Sequence, residues 1–255
     1  MDLVTYDSRP TLERPTLLVA FTGWSDAGAA ATTAVQFAAE RTQAKKFASI
    51  DGNEFFDFTV QRPIVRFDEQ QIGHLQWPGH EFLATESGRF IFLIGPEPHL
   101  RWKTFCQAVV DLARESGVER VAMLGAFLAE VLYTDPVPLT GFATDSSLLD
   151  RLKVPTTGYQ GPTGIVGALA DAFRQASIPL VSIWAAIPHY ISASPNPRAA
   201  LALLLKLREW VELPIDFAPL EAAAAAFQAQ LLAAVESNLH LSSYIRGLKK
   251  HETSH

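Results

Sequence analysis

Titratable and aromatic side chains gather at four places in this 255-residue chain, each where a short apolar run stops at a glycine or a proline. The first is Gly23-Trp24-Ser25-Asp26-Ala27-Gly28, between the apolar run Thr16 to Phe21 and the alanine-rich Ala29 to Ala39. It reads as a strand, a glycine-bounded turn and a helix N-terminus. Free backbone N–H groups at such a turn can hold an anion or support a nucleophile. Gly23-x-Ser25 approaches the G-x-S-x-G nucleophile elbow, but position 27 is Ala, and the turn follows the first expected core strand instead of several. The simpler reading is a tight turn in which Ser25 or Asp26 caps the helix.

The second place is Gly95-Pro96-Glu97-Pro98-His99-Leu100-Arg101-Trp102, after the run Phe90 to Ile94. Ligands of open α/β sheets bind at the carboxyl ends of strands, and Glu97, His99 and Arg101 are titratable; the prolines also suit an ordinary connector. The third is Gly158 to Gly167, which carries Tyr159 and sets glycines around a helix start. It could cradle an anion, but it matches neither the dinucleotide fingerprint nor the P-loop, and close helix–strand packing explains it equally well. The fourth is Ile187-Pro188-His189-Tyr190, where a lone histidine is more often hydrogen-bonded structure than catalyst. Trp24, Asp26, Glu97, His99, Tyr159 and His189 are therefore the candidate lining of a strand-end crevice, with no catalytic set assigned. None of the seven His shows metal-ligand spacing, and the single Cys106 leaves no intramolecular disulfide or cysteine zinc site. No metal or cofactor is expected.

The elements that position these residues alternate. Val121 to Leu124 and Leu180 to Ile187 read as further buried strands. Trp102, Phe105, Cys106, Val109, Leu112 and Ala113 share one helical face that ends at Gly117, and Thr163 can cap a helix running to about Ala176. Hairpin-like strands are expected at Ile64 to Phe67, Gly73 to Trp77 and His80 to Thr85, and residues 1–15 read as an irregular lead-in. The expected fold is α/β: a mixed, mostly parallel sheet flanked by helices in a phosphorylase- or hydrolase-like three-layer core. Asn196-Pro197 then opens a two-helix C-terminal appendage. Its longer helix carries the stripe Leu220, Ala224, Phe227, Leu231, Val235 and Asn238. The expected domains are a core over 1–195, a helical extension over 196–248 and a flexible tail over 249–255.

Composition narrows the class. Hydrophobic residues make up 48% and charged residues 19%, which suits a buried core. The net charge of −6 comes without a basic cluster, so nucleic-acid binding is not expected. The start has no signal-peptide pattern, and Ala176 to Ile191, the longest weakly polar stretch found, is too short and broken to span a bilayer. A cytoplasmic setting and no membrane partner are expected.

In order along residues 14–220, these blocks resemble the proteasome assembly chaperone 2 family. The strand with Gly-Trp-x-Asp-Ala-Gly is followed by Asp57-Phe58, Arg62-Pro63, Trp77-Pro78 and Gly95-Pro96-Glu97-Pro98 with Trp102 and Phe105. Leu124-Gly125-Ala126, Tyr133-Thr134-Asp135-Pro136, Tyr159 to Gly164, Pro188-His189-Tyr190 and Asn196-Pro197 complete the series. The chain is most similar to the bacterial, actinobacterial-type branch with its helical C-terminal extension. The resemblance implies a fold like that of purine nucleoside phosphorylases, assembled into rings or trimers, and a non-catalytic, self-associating assembly factor with the C-terminal helices as its contact. The second reading is a small-molecule binder or enzyme using a nucleoside-phosphorylase-like crevice. Proteasome-binding relatives dock through a C-terminal hydrophobic-Tyr-any tripeptide; this chain ends Thr253-Ser254-His255, so a proteasome partner by that route is not expected.

Overall fold

The computed structural model describes residues 3–252. Its elements begin with β1 (Val4–Tyr6), β2 (Thr16–Thr22), α1 (Ala30–Arg41), β3 (Lys45–Asp51), β4 (Ile64–Phe67), β5 (Gly73–Gln76), β6 (Gly79–Ala84) and β7 (Phe90–Pro96). They continue with α2 (Trp102–Glu115), β8 (Arg120–Ala129), β9 (Leu139–Ala143), α3 (Ser146–Leu152), α4 (Ile165–Gln175) and β10 (Leu180–Pro188). Three helices close the chain: α5 (Pro197–Arg208), α6 (Ala218–Ser237) and α7 (Leu239–Glu252).

The apolar runs at β2, β7, β8 and β10 form a parallel core, because runs with no polar face must be covered on both sides. One eight-stranded sheet has the order β1-β3-β6-β7-β2-β8-β10-β9, while β4 and β5 pair only with each other. The outer strands β1, β3, β6 and β9 join by antiparallel pairing, so the sheet is mixed and mostly parallel at its centre. Alternate residues of β2 serve opposite layers. Leu18 and Ala20 pack with α1 and α5, whereas Leu17, Val19 and Phe21 pack with α2 and α4. The expected three-layer α/β fold is what the chain adopts.

The C-terminal region differs from the two-helix appendage expected. Leu203, Leu204 and Leu207 of α5 are fully buried in the same core cluster as α1, so α5 is a layer of the core. The appendage is α6 with α7. The stripe counted along α6 is buried from Leu220 to Val235, with Asn238 exposed beyond the helix end, and it is buried against its own chain: Leu220 enters the main core, and Phe227, Leu231 and Val235 form a satellite cluster with Leu132, Tyr133, Ile191 and Ile245. Residues 249–252 continue α7, and residues 253–255 lie outside the described residues. The sequence reading also passed over α6 in its search for a long apolar segment: by length and composition alone this helix could cross a membrane. β1 falls in the expected irregular lead-in, and β9 in a stretch where no strand is expected from the sequence.

The two clusters predict unequal costs. Leu203→Ala removes a fully buried side chain from the main core and lowers unfolding free energy by about 2–5 kcal/mol in chemical denaturation. Leu231→Ala, in the smaller satellite cluster, costs less. Equal costs would mean that α6 is as integral as α5.

Candidate functional site

Asp26 stands at the carboxyl end of β2 and is 7% exposed. Its Oδ1 accepts from the backbone N–H of Ala31 at 2.7 Å and of Thr32 at 3.2 Å, and its Oδ2 accepts from the Thr32 hydroxyl. A helix leaves its first N–H groups unpaired, and this carboxylate satisfies two of them while facing the positive end of the dipole. Burial pushes the Asp26 carboxyl above the usual range, against the pull of those hydrogen bonds. Ser25 is 1% exposed, its hydroxyl meets no partner among the described residues, and its carbonyl accepts from Ala126 N–H at 2.8 Å. A serine in that setting is not a presented nucleophile.

Glu97 does the same work for α4. Its Oε1 accepts from Ile165 N–H at 2.7 Å. Thr163, the expected cap, makes no such bond, and the N-cap position is Gly164, which has no side chain to offer. A Cβ on Gly164 would lie 2.5 Å from Glu97 Oε1 and 3.1 Å from the Trp24 ring, so only glycine lets the carboxylate reach the helix. Two helix N-termini at this end of the sheet are thus filled by the chain's own carboxylates, where an external anion would otherwise sit.

Trp24 and Tyr159 meet in a cleft of about 390 Å³ beside Glu97's loop. Phe127, Phe142 and Trp184 supply its other rings, and Thr140, Thr157 and Thr163 further hydroxyls; no Asp, Glu, Lys, Arg or His lines it. Trp184 is seated by its register partner Gly125, where a Cβ would come within 2.6 Å of the indole. Tyr159 is held by its hydroxyl donating to the Pro162 carbonyl at 2.8 Å. The sequence reading named two of these five rings. Phe127, Phe142 and Trp184 hide within strands, and only the parity of β8, β9 and β10 could have pointed them out.

The two histidine candidates lie elsewhere. His99 Nδ1 accepts from Asp57 N–H at 3.1 Å, and the His99 ring meets Phe56 edge-on. His189 is paired through Nδ1 with the Ala129 carbonyl at 3.2 Å and through Nε2 with the Tyr244 hydroxyl at 3.2 Å, which ties the β10 end to α7. The six candidates therefore split into two caps, two cleft walls and two loop ties. A seventh group was missed. His80 is fully buried among Phe21, Phe56 and Phe105, with Nε2 donating to the Pro96 carbonyl at 2.7 Å and Nδ1 without a partner among the described residues. Burial lowers its pKa to about 4 despite that hydrogen bond. Among the described residues no group of three or more His, Cys, Asp or Glu could hold a metal ion.

Two stability measurements follow from these contacts. Asp26→Ala strips three hydrogen bonds from the start of α1 and costs about 1–3 kcal/mol in denaturant unfolding; an unchanged midpoint would remove the cap from the account. For His80, the unfolded ring takes up a proton below about pH 6.5 and the folded ring only near 4, so the unfolded state binds more protons between these values. Stability then falls as pH drops through that window, by roughly 3 kcal/mol from this ring. Asp26, with its pKa raised, contributes with the opposite sign. His80→Phe should flatten the stability profile between pH 6.5 and 4, while the same slope in both proteins would contradict the assignment.

The arrangement has relatives. Rv2125 of Mycobacterium tuberculosis, described as a proteasome-assembly chaperone homologue, is 34% identical, with a TM-score of 0.82 over 90% of this chain and 99% of its own. A PAC2 family protein from Streptomyces avermitilis is 36% identical, with a TM-score of 0.81 over the same shares of 90% and 99%. A protein of unknown function from Corynebacterium glutamicum is 27% identical, with a TM-score of 0.86 over 99% of this chain and 97% of its own. A comparison with curated proteins finds no match. The family model for PAC2 matches residues 20–235, and with relatives above 30% identity spanning nine-tenths of the fold, the chain belongs to the PAC2 family.

Proposed function

We propose that this protein is a non-catalytic, chaperone-like assembly factor that works through protein surfaces and self-associates in the cytoplasm, with a homotrimer as the favoured form. The observation that carries the reading is the β4–β5 hairpin. Every residue of both strands is exposed, and Ile64, Val65, Phe67, Ile72 and Leu75 are each more than half exposed, together with the neighbouring Val60 and Trp77. Clustered apolar exposure of this kind marks a docking surface. It moves the proposed contact from the C-terminal helices, whose stripe is spent on their own chain, to this arm. The description of the Mycobacterium relative as a proteasome-assembly chaperone homologue supports the same class of role.

The second reading, a small neutral ligand in the strand-end crevice, is favoured by the aromatic cleft. A phosphorylase needs phosphate in that region, and the helix N-termini suited to it hold Asp26 and Glu97.

Size-exclusion chromatography with light scattering should give a mass of three times the 27.9 kDa chain. A strict monomer at all concentrations would overturn self-association. A pull-down against 20S particles tests the proteasome as partner. A thermal-shift screen with nucleosides, phosphate and sugars should show no stabilisation, and a reproducible shift would favour the ligand reading.

A further inference from the structure

The β4–β5 arm has two unlike faces. Register places Val65 opposite Leu75 and Phe67 opposite Gly73, so Val65, Phe67 and Leu75 share one face. The other face holds Ile64, Arg66, His74 and Gln76, and its polar groups satisfy one another: Arg66 Nε donates to Gln76 Oε1 at 2.8 Å, and His74 pairs with Asp68 at 2.9 Å. The apolar face has no cover among the described residues, and Phe67 is 67% exposed. An isolated two-stranded hairpin is marginal in water and needs a layer against its apolar face.

The same molecule offers a matching receptor at the other side of the sheet. The cleft of Trp24, Phe127, Phe142, Tyr159 and Trp184 is lined by no Asp, Glu, Lys, Arg or His. A phosphate or carboxylate ligand would find no counter-charge there, and a sugar would leave most of its hydroxyls unpaired. Apolar side chains suit it. Its 390 Å³ compares with the 150 Å³ or so that holds a benzene ring, so it has room for Phe67 and a neighbour. The larger concavity of about 740 Å³ at the arm's own base is lined by Glu40, Lys46, Asp51, Arg62 and Glu81, which would be stripped of water by an apolar face.

We propose that the apolar face of one protomer's β4–β5 arm docks into the aromatic cleft of a second copy, head to tail. The inference rests on the self-association proposed above and names its two surfaces. Arm and cleft lie on opposite sides of the sheet, since β6, next to the arm, and β10, at the cleft, stand four strand spacings or roughly 19 Å apart. Each chain therefore offers one arm and one cleft, and unlike surfaces of this kind generate a ring when the rotation closes. At about 200 Å² per large side chain, the exposed parts of Val65, Phe67 and Leu75 with Trp24, Phe127 and Tyr159 bury on the order of 700 Å² per contact. That is the size of a weak, transient contact, which a ring reinforces because every protomer makes it twice.

The test is disulfide trapping with the full chain carrying both Phe67→Cys and Thr157→Cys. Cys106 is buried with its thiol pushed up to about 12, so it stays out of the exchange. Mild oxidation should yield covalent multimers from the double variant and none from either single variant. Chains that stay monomeric with free thiols, or that close an intrachain bridge, would overturn the proposal. Light scattering on the native protein separates the two failures: multimers without trapping reject this contact alone, whereas a monomer rejects self-association too. Phe67→Arg should also weaken self-association tenfold or more with an unchanged circular dichroism spectrum, and unchanged association would count against the arm. A saturable shift with a small aromatic probe that leaves association intact would assign the cleft to another ligand and overturn its part in the contact.

Discussion

A helix that starts at the end of a buried strand presents backbone N–H groups that must be paired, and this constraint shapes the whole carboxyl end of the sheet. The chain pairs them from its own sequence. Asp26 reaches Ala31 and Thr32 at the start of α1, and Glu97 crosses from the end of β7 to Ile165 at the start of α4. The second contact joins two loops 68 residues apart and holds the helix layer to the sheet end. Both carboxylates are committed to structure, and the geometry that could have gripped a phosphate is closed by the protein itself.

What remains open at that end is apolar. Glycine at 125 and 164 lets Trp184 and Trp24 lie against backbone, and the rings bound a cleft without charge. The β4–β5 arm is open in the same sense, its polar face satisfied internally and its apolar face bare. The two candidate histidines are ties: His99 binds the loop after β3, and His189 holds the appendage through Tyr244.

The core was legible because its signal is local. Continuous apolar runs ending at Gly or Pro gave β2, β7, β8 and β10, and the three- and four-residue steps gave α2 and the α6 stripe. A cap at Ser25 or Asp26, of which Asp26 makes the bonds, and Asn196-Pro197 as a helix start were also legible, the latter with Asn196 Oδ1 accepting from Ala199 N–H at 3.0 Å. The misses share a cause in long-range pairing. β9 is a strand because β10 and residues 155–157 flank it, not because Leu139 to Ala143 reads as one. Thr163 looked like a cap because the true cap comes from a different loop. His80 gave no sequence signal, since its burial depends on Phe21, Phe56 and Phe105 arriving from three other segments. Of the site, the residues were found more readily than their grouping: Trp24 and Tyr159 belong together, and Asp26, Glu97, His99 and His189 have separate duties.

The central claim is that the arm and the aromatic cleft are protein-docking surfaces. Hydrogen–deuterium exchange measured across protein concentrations tests it most directly, because docking slows exchange only where surfaces meet. The account predicts that amides of residues 64–76 and 157–164 gain protection together as concentration rises, while the core strands stay unchanged. Protection in those two segments that is independent of concentration would contradict it.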